Sequence, residues 1–228
     1  MTPKFIVSTL STAVALSLSA NAFAKDVTKE EKNFEQITVI GSASAINDIP
    51  GSATFIDEQE LEKFEYTDIS RVLSAVPGVY VQEEDGYGLR PNIGMRGTGT
   101  GRNDKISVME DGVLVAPAPY SAPSAYYFPT MGRMESIEVL KGAASVKYGP
   151  RTTGGVLNLV SRSLPTEGSK GLLNAELGSD GFYKGHAYFG KKKNNAAGLV
   201  EVFTYGADGF KDLPVGSDNT GFETVSYT

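Results

Sequence analysis

At 228 residues the chain is long enough for one domain and part of another. Its 21 Lys+Arg against 27 Asp+Glu leave a net charge of -6 and lack the concentrated cations that phosphate contacts need, so no nucleic-acid partner is expected. The sequence holds no Cys and one His, His186, which excludes disulfides, thiolate chemistry and a multi-His metal site. No catalytic residue, metal or cofactor is expected.

Residues 1–24 read as a secretory signal peptide. Lys4 supplies the charged start, Phe5 to Leu18 the apolar stretch, and Ala22 and Ala24 the small residues before cleavage, so the mature chain is expected to begin at Lys25. A membrane anchor would need about 18 to 20 uninterrupted apolar residues, and Ser and Thr interrupt this stretch. No later stretch could cross a bilayer as a helix, so any crossing must use strands.

Residues 25–43 form a leader. Lys25 to Glu35 is charged, and Gln36 to Ile40 is a β-branched patch ended by Gly41 and Ser42. A lone strand of that length is unstable, which suits a peptide waiting for a sheet edge.

From Ala53 the pattern becomes a compact α+β unit. Asp57 followed by Glu60 predicts a capping box opening a short helix through Leu61 and Phe64. Thr67 is expected to cap a second helix, in which Ile69, Val72, Leu73 and Val76 share a face and Pro77-Gly78 ends the run. Short strands are predicted over 79–82, 92–96, 106–110, 113–115, 136–140 and 156–161, with Asp111-Gly112 as a hairpin turn. The long loops Arg96 to Arg102 and Ala116 to Pro129 are the places to look for function.

After Pro165, Thr166 to Gly171 reads as a linker. Three segments of about ten residues follow with period-two patterning, the length of a tilted membrane-spanning strand. Leu173, Ala175 and Leu177 oppose Asn174 and Glu176; Tyr183, Ala187 and Phe189 oppose Lys184 and His186; Val200, Val202 and Thr204 oppose a face carrying Glu201. Gly178 to Gly181 and Lys191 to Asn195 are the turns. The pattern fits a barrel wall, and a soluble meander nearly as well. His186 is expected at a lumen face or an interface. The G-x-G-x-G run from Gly97 to Gly101 lacks the helix and acidic residue of a phosphate cradle, so its glycines are read as turning a tight loop.

Six motifs in order resemble the N-terminal part of TonB-dependent outer-membrane receptors, over about Glu35 to Thr228. Ile37 to Ala43 resembles the TonB box. Asp68 to Val81, with Pro77-Gly78-Val79, resembles the plug's helix and PGV element. Asn92 to Gly97 resembles its I-x-I-R-G strand, and Val108 to Val113 its V-x-x-D-G-V hairpin. Met134 to Gly142, then Tyr148-Gly149 and Gly154 to Val160, resemble its most recognisable stretch. Ala143 stands where many relatives have Pro after Lys-Gly, which leaves that turn less rigid. Ala118-Pro119-Tyr120 and Gly132-Arg133-Met134 are most similar to the ferric dicitrate type.

The resemblance implies an α+β plug domain over 44–165, followed over 166–228 by the first strands of a transmembrane antiparallel β-barrel. It implies no enzyme but an outer-membrane active transporter of a ferric chelate, partnered by the TonB energy-coupling protein and by outer-membrane lipid. Ile37, Thr38, Val39 and Ile40 would bind TonB. Arg102 and Tyr120 would hold the anionic chelate, and Arg96 and Lys141 would latch the plug to acidic residues of the barrel wall. Such a barrel closes about 22 strands and needs around 450 residues, so the chain is expected to be a piece of one and not to transport alone. The alternative is a secreted periplasmic plug-like binding module. A secreted hydrolase has no Ser, His and acid constellation to rest on.

Overall fold

The computed structural model describes residues 38–64, 66–83, 88–115, 128–209 and 222–227, all within one unit that runs from Gln36 to Thr228. The residues read as a signal peptide and charged leader, together with Ile37 and Tyr120, lie outside the described residues.

Asp57 and Glu60 open the first helix as the capping box predicts, with the Glu60 amide donating to Asp57 Oδ1 at 2.9 Å. Helix α1 spans Glu58–Phe64. Helix α2 spans Ile69–Leu73, and its cap is Asp68 rather than Thr67. The Asp68 carboxylate accepts from the Ser70 amide at 2.7 Å, which a hydroxyl one residue earlier does not do. The helix is shorter than expected, because Ala75 and Val76 close turns onto Val72 and Leu73 before Pro77 is reached.

The plug is a mixed sheet built on strands β1 (Ser52–Ile56), β4 (Ile106–Glu110), β5 (Val113–Leu114), β6 (Met134–Lys141) and β7 (Gly155–Ser161), in the order β1-β6-β7-β4-β5. Strands β4 and β7 are parallel and the other pairs antiparallel. A separate antiparallel pair joins β2 (Val79–Gln82) to β3 (Asn92–Met95). The predicted strands are all present, and β1 is an addition. Asp111 and Gly112 both take positive φ, 50° and 76°, the pair of values that a tight two-residue hairpin requires.

Both faces of this sheet are covered. On one, Ile106, Val108, Ile137, Val139, Leu157 and Leu159 pack with Ile69, Leu73, Ile93 and Met95 from α2 and β3. On the other, Met109, Leu140 and Val156 pack with Val39 and Ile40 and with Ile46 and Ile49, which flank or lie in a 3₁₀ turn over Ala43–Asp48. The strands are therefore buried along nearly their whole length, as doubly covered strands are, with Ser107, Glu138 and Asn158 set among their apolar residues.

Four longer strands follow as an antiparallel meander: β8 (Ser169–Leu177), β9 (Tyr183–Lys193), β10 (Ala196–Ala207) and β11 (Phe222–Tyr227). Strand β8 begins inside the stretch read as a linker, and β11 is a further addition. The alternation holds: Leu173 and Leu177 are 85% and 86% exposed, and Phe189 and Val200 are exposed beside them, while His186, Tyr188, Glu201 and Phe203 are buried. Leu173, Leu177, Phe189 and Val200 face outwards, and His186, Tyr188, Glu201 and Phe203 face the plug.

Gly132 fixes how closely plug and strands approach. A methyl group built there would fall within the van der Waals envelope of the fully buried Phe203 ring. Gly132→Ala should therefore cost about 1–3 kcal/mol. Gly198→Ala, where the space is open, should stay within about 0.5 kcal/mol of the parent, both read from urea unfolding midpoints.

Candidate functional site

Thr38, Val39 and Ile40, the described part of the segment expected to bind TonB, are not a strand. Val39 and Ile40 are buried, bent and wrapped around Glu138. The amides of Val39, Ile40 and Gly41 donate to the Glu138 carboxylate at 2.6, 3.0 and 2.6 Å. Asn158 Nδ2 adds a fourth donor at 2.7 Å, and the Tyr148 hydroxyl donates to the Val39 carbonyl at 3.1 Å. Four donors offset the desolvation of a carboxylate that is 0% exposed. β-branched composition predicts an extended conformation, and tertiary hydrogen bonding overrides it.

Arg96 and Lys141 are brought together. The Arg96 amide donates to the Gly78 carbonyl at 2.9 Å, and Lys141 Nζ donates to the Pro77 carbonyl at 2.6 Å. The PGV element, the Met95-Arg96-Gly97 strand end and the Leu140-Lys141-Gly142 strand end thus meet at one point. A methyl group on Gly142 would lie 3.0 Å from the Arg96 guanidinium. Burial, and then the neighbouring Arg96 charge, hold the Lys141 ammonium pKa below the ordinary lysine value. Among the described residues neither cation has a carboxylate within salt-bridge distance.

The backbone of Arg102 lies in a 3₁₀ turn over Gly101–Asn103. Its neighbour Asn103 is buried and accepts from the Ile93 amide at 2.5 Å, which pins this loop to β3. With Tyr120 outside the described residues, the pairing of Arg102 with Tyr120 has no geometry here.

A fourth cluster, absent from the sequence reading, ties plug to strands. Arg162, just after β7, donates from Nε to Glu201 Oε1 of β10 at 3.0 Å and from Nη1 to Glu58 Oε1 of α1 at 2.5 Å. Its guanidinium lies 4.0 Å from the centroid of the Tyr188 ring, and the Tyr188 hydroxyl reaches Glu62 at 3.2 Å. His186 Nε2 meets the same Glu201 oxygen at 2.7 Å, so the expected interfacial place of this histidine holds. Lys170 of β8 joins through Glu58. Burial works against the Arg162 charge, but the Glu201 hydrogen bond and the surrounding negative charges outweigh it and hold the guanidinium pKa above its ordinary value. The sequence signal available was a charge directly after an apolar strand, opposite Glu201 on a polar strand face.

Residues 45–156 match the TonB-dependent Receptor Plug Domain. The vitamin B12 transporter BtuB of Photobacterium profundum is 31% identical over 217 residues, covering 92% of this chain and 34% of that protein. The iron-regulated outer membrane virulence protein of Vibrio cholerae serotype O1 (classical Ogawa 395) is 32% identical over 160 residues, covering 67% of this chain and 23% of that protein. The chain thus spans about a third or less of these curated relatives. Among solved structures, the ferric yersiniabactin uptake receptor FyuA from Yersinia pestis aligns with a TM-score of 0.62 at 22% identity, over 81% of this chain and 28% of that one. The unliganded ferric citrate transporter FecA aligns at 0.52 and 23%, over 74% and 30%. At these identities the likeness establishes the fold, a plug followed by barrel strands. The vitamin B12 relative and the two solved structures are named as transporters or a receptor, in keeping with the expectation of no enzyme.

Removing the shared cation of the plug-to-strand cluster should leave the buried Glu201 carboxylate with His186 as its remaining partner. Arg162→Met is expected to destabilise by about 3–5 kcal/mol. In a double-mutant cycle read by urea unfolding, Arg162→Met with Glu201→Gln should lose clearly less than the sum of the two single changes.

Proposed function

We infer that this chain, which belongs to the TonB-dependent outer-membrane receptors, carries the coupling segment, plug and first wall strands of an active transporter for a ferric chelate. The observation that carries this reading is the plug domain over 45–156 joined to strands whose outward face is apolar. Leu173, Leu177, Phe189 and Val200 supply the surface for outer-membrane lipid, which a periplasmic binding module without a membrane has no reason to expose. The iron-regulated relative supports a ferric chelate as cargo, and the vitamin B12 transporter makes a cobalamin the competing cargo.

The work is binding and conformational release. An anionic chelate such as ferric dicitrate settles on the outward loops, where Arg102 forks onto carboxylates and Tyr120 adds a hydroxyl. Arg96 and Lys141 latch the plug to acidic residues of the barrel wall. In support, two cations sit side by side without an acid among the described residues, and the low pKa of Lys141 is what a facing carboxylate would restore. Residues Ile37 to Ile40 then pair by strand addition with the TonB energy-coupling protein, which draws on backbone hydrogen bonds.

Arg102→Ala in the intact receptor should weaken ferric dicitrate binding about tenfold or more, and Arg102→Lys should restore only part of it. Equal affinities in a titration would remove Arg102 from the site, and a loss confined to cyanocobalamin would overturn the anionic cargo. Val39→Pro removes a backbone donor and fixes φ, whereas Val39→Thr keeps a strand. Uptake of the radiolabelled chelate should fall to background in the first and persist in the second.

A further inference from the structure

We propose that Lys191 and Lys193 form a docking site for the phosphate of an anionic phospholipid in the inner leaflet of the outer membrane. The inference rests on the reading of β8 to β10 as wall strands that face lipid.

Strand β9 places these cations. Successive side chains of a strand point to opposite faces, so Phe189, Lys191 and Lys193 share one row. All three are exposed, while Gly190 between the first two is buried. Phe189 is paired with Val200 of β10, which is exposed on the same face. Lys191 is paired with Ser169 of β8 on one side and with Gly198 of β10 on the other, and Lys193 with Ala196. These small neighbours leave the lysines uncovered: a methyl group built on Gly198 would have nothing within 4 Å. Among the described residues no carboxylate lies within salt-bridge distance of either lysine, that of Glu167 just ahead of β8 included.

The depth fits a headgroup. Two residues of strand advance about 7 Å, or about 5 Å along the membrane normal at a tilt near 45°. Lys191 thus leaves the sheet about one such step below the apolar pair of Phe189 and Val200, and Lys193 one step further. A lysine stem lies along apolar surface while its ammonium reaches the polar layer. Acyl chains would rest on Phe189 and Val200, and the phosphate between the two cations.

Loop lengths select the leaflet. Residues 194 and 195 alone join β9 to β10, whereas 208–221 join β10 to β11 at the other end. Outer-membrane barrels turn back tightly on the periplasmic side and carry their long loops outside. The lysines therefore stand at the periplasmic rim, where the lipids are glycerophospholipids. The far end instead carries the exposed acids Asp180 and Asp208, joined by a backbone hydrogen bond of 2.8 Å.

Intact receptor, extracted from outer membranes in mild detergent, is titrated with phosphatidylglycerol and with phosphatidylethanolamine and followed by native mass spectrometry. The parent should hold phosphatidylglycerol several-fold more tightly. Lys191→Gln with Lys193→Gln should weaken phosphatidylglycerol binding about fivefold for each lysine removed, and leave phosphatidylethanolamine within about twofold. Equal affinity of parent and double variant for phosphatidylglycerol overturns the site. Displacement of the lipid by inorganic phosphate makes it a free-anion site and overturns the lipid. A loss confined to added lipopolysaccharide moves the cations to the other leaflet and overturns the assignment. Recovery of the parent receptor in the periplasmic fraction, without phospholipid of either kind, sinks the wall-strand reading and the site with it, whereas an unchanged double variant of a membrane-embedded parent sinks the site alone.

Discussion

A carboxylate buried in the middle of a sheet is the constraint around which the plug is arranged. Glu138 stands opposite Asn158 in the pairing of β6 with β7, and its burial is tolerable only because donors arrive from separate parts of the chain. Asn158 orients itself by also accepting from Gly112, while the preceding Asp111 accepts from the amide and hydroxyl of Ser161 at 2.8 and 2.6 Å. Hairpin turn, central strands and N-terminal segment are thus held in one polar ladder. The apolar side chains of residues 39–49 then complete the core on the face that the helices leave open.

The junction with the wall strands follows the same logic with opposite charge. Arg162 serves carboxylates from α1 and β10 at once and stacks on an aromatic ring of β9, so three separately formed elements share one cation. A guanidinium suits this place because its planar set of donors can face several partners without moving. The junction is apolar where Phe203 meets Gly132 and polar where Arg162 meets Glu201, which fixes both distance and register between the two parts.

Legibility in the sequence followed how local each determinant is. The strands over 79–82, 92–95, 106–110, 134–141 and 155–161 and the Asp111-Gly112 turn were readable, because alternation and turn chemistry act within a few residues. Strand β1 was missed because Ser52–Ile56 is short and exists through its pairing with β6. Residues 37–40 have the composition of a strand, yet a residue some hundred positions away takes the Val39 and Ile40 amides. Glu138 was visible only as one letter of a motif. A charge between Ile137 and Val139 was the signal, since an acid in a doubly covered strand demands donors from somewhere. Arg96 and Lys141 were legible as cations at two strand ends, while their meeting over Pro77 and Gly78 needed three distant turns of chain.

Strand β1 lies at the edge of the plug sheet, and the docked segment leads into it through only one short 3₁₀ turn. A load applied near Gly41 would therefore arrive first at Ser52, the end of β1 that faces Lys141. An edge strand gripped at its end peels one rung at a time, and a peel opposes force far less than the simultaneous shear of a central strand. The mechanical weak line of the plug thus runs along β1 and β6. Strands β7 and β4, which carry Asn158 and the Asp111-Gly112 turn, lie beyond it and would be the last part of the sheet to feel the pull.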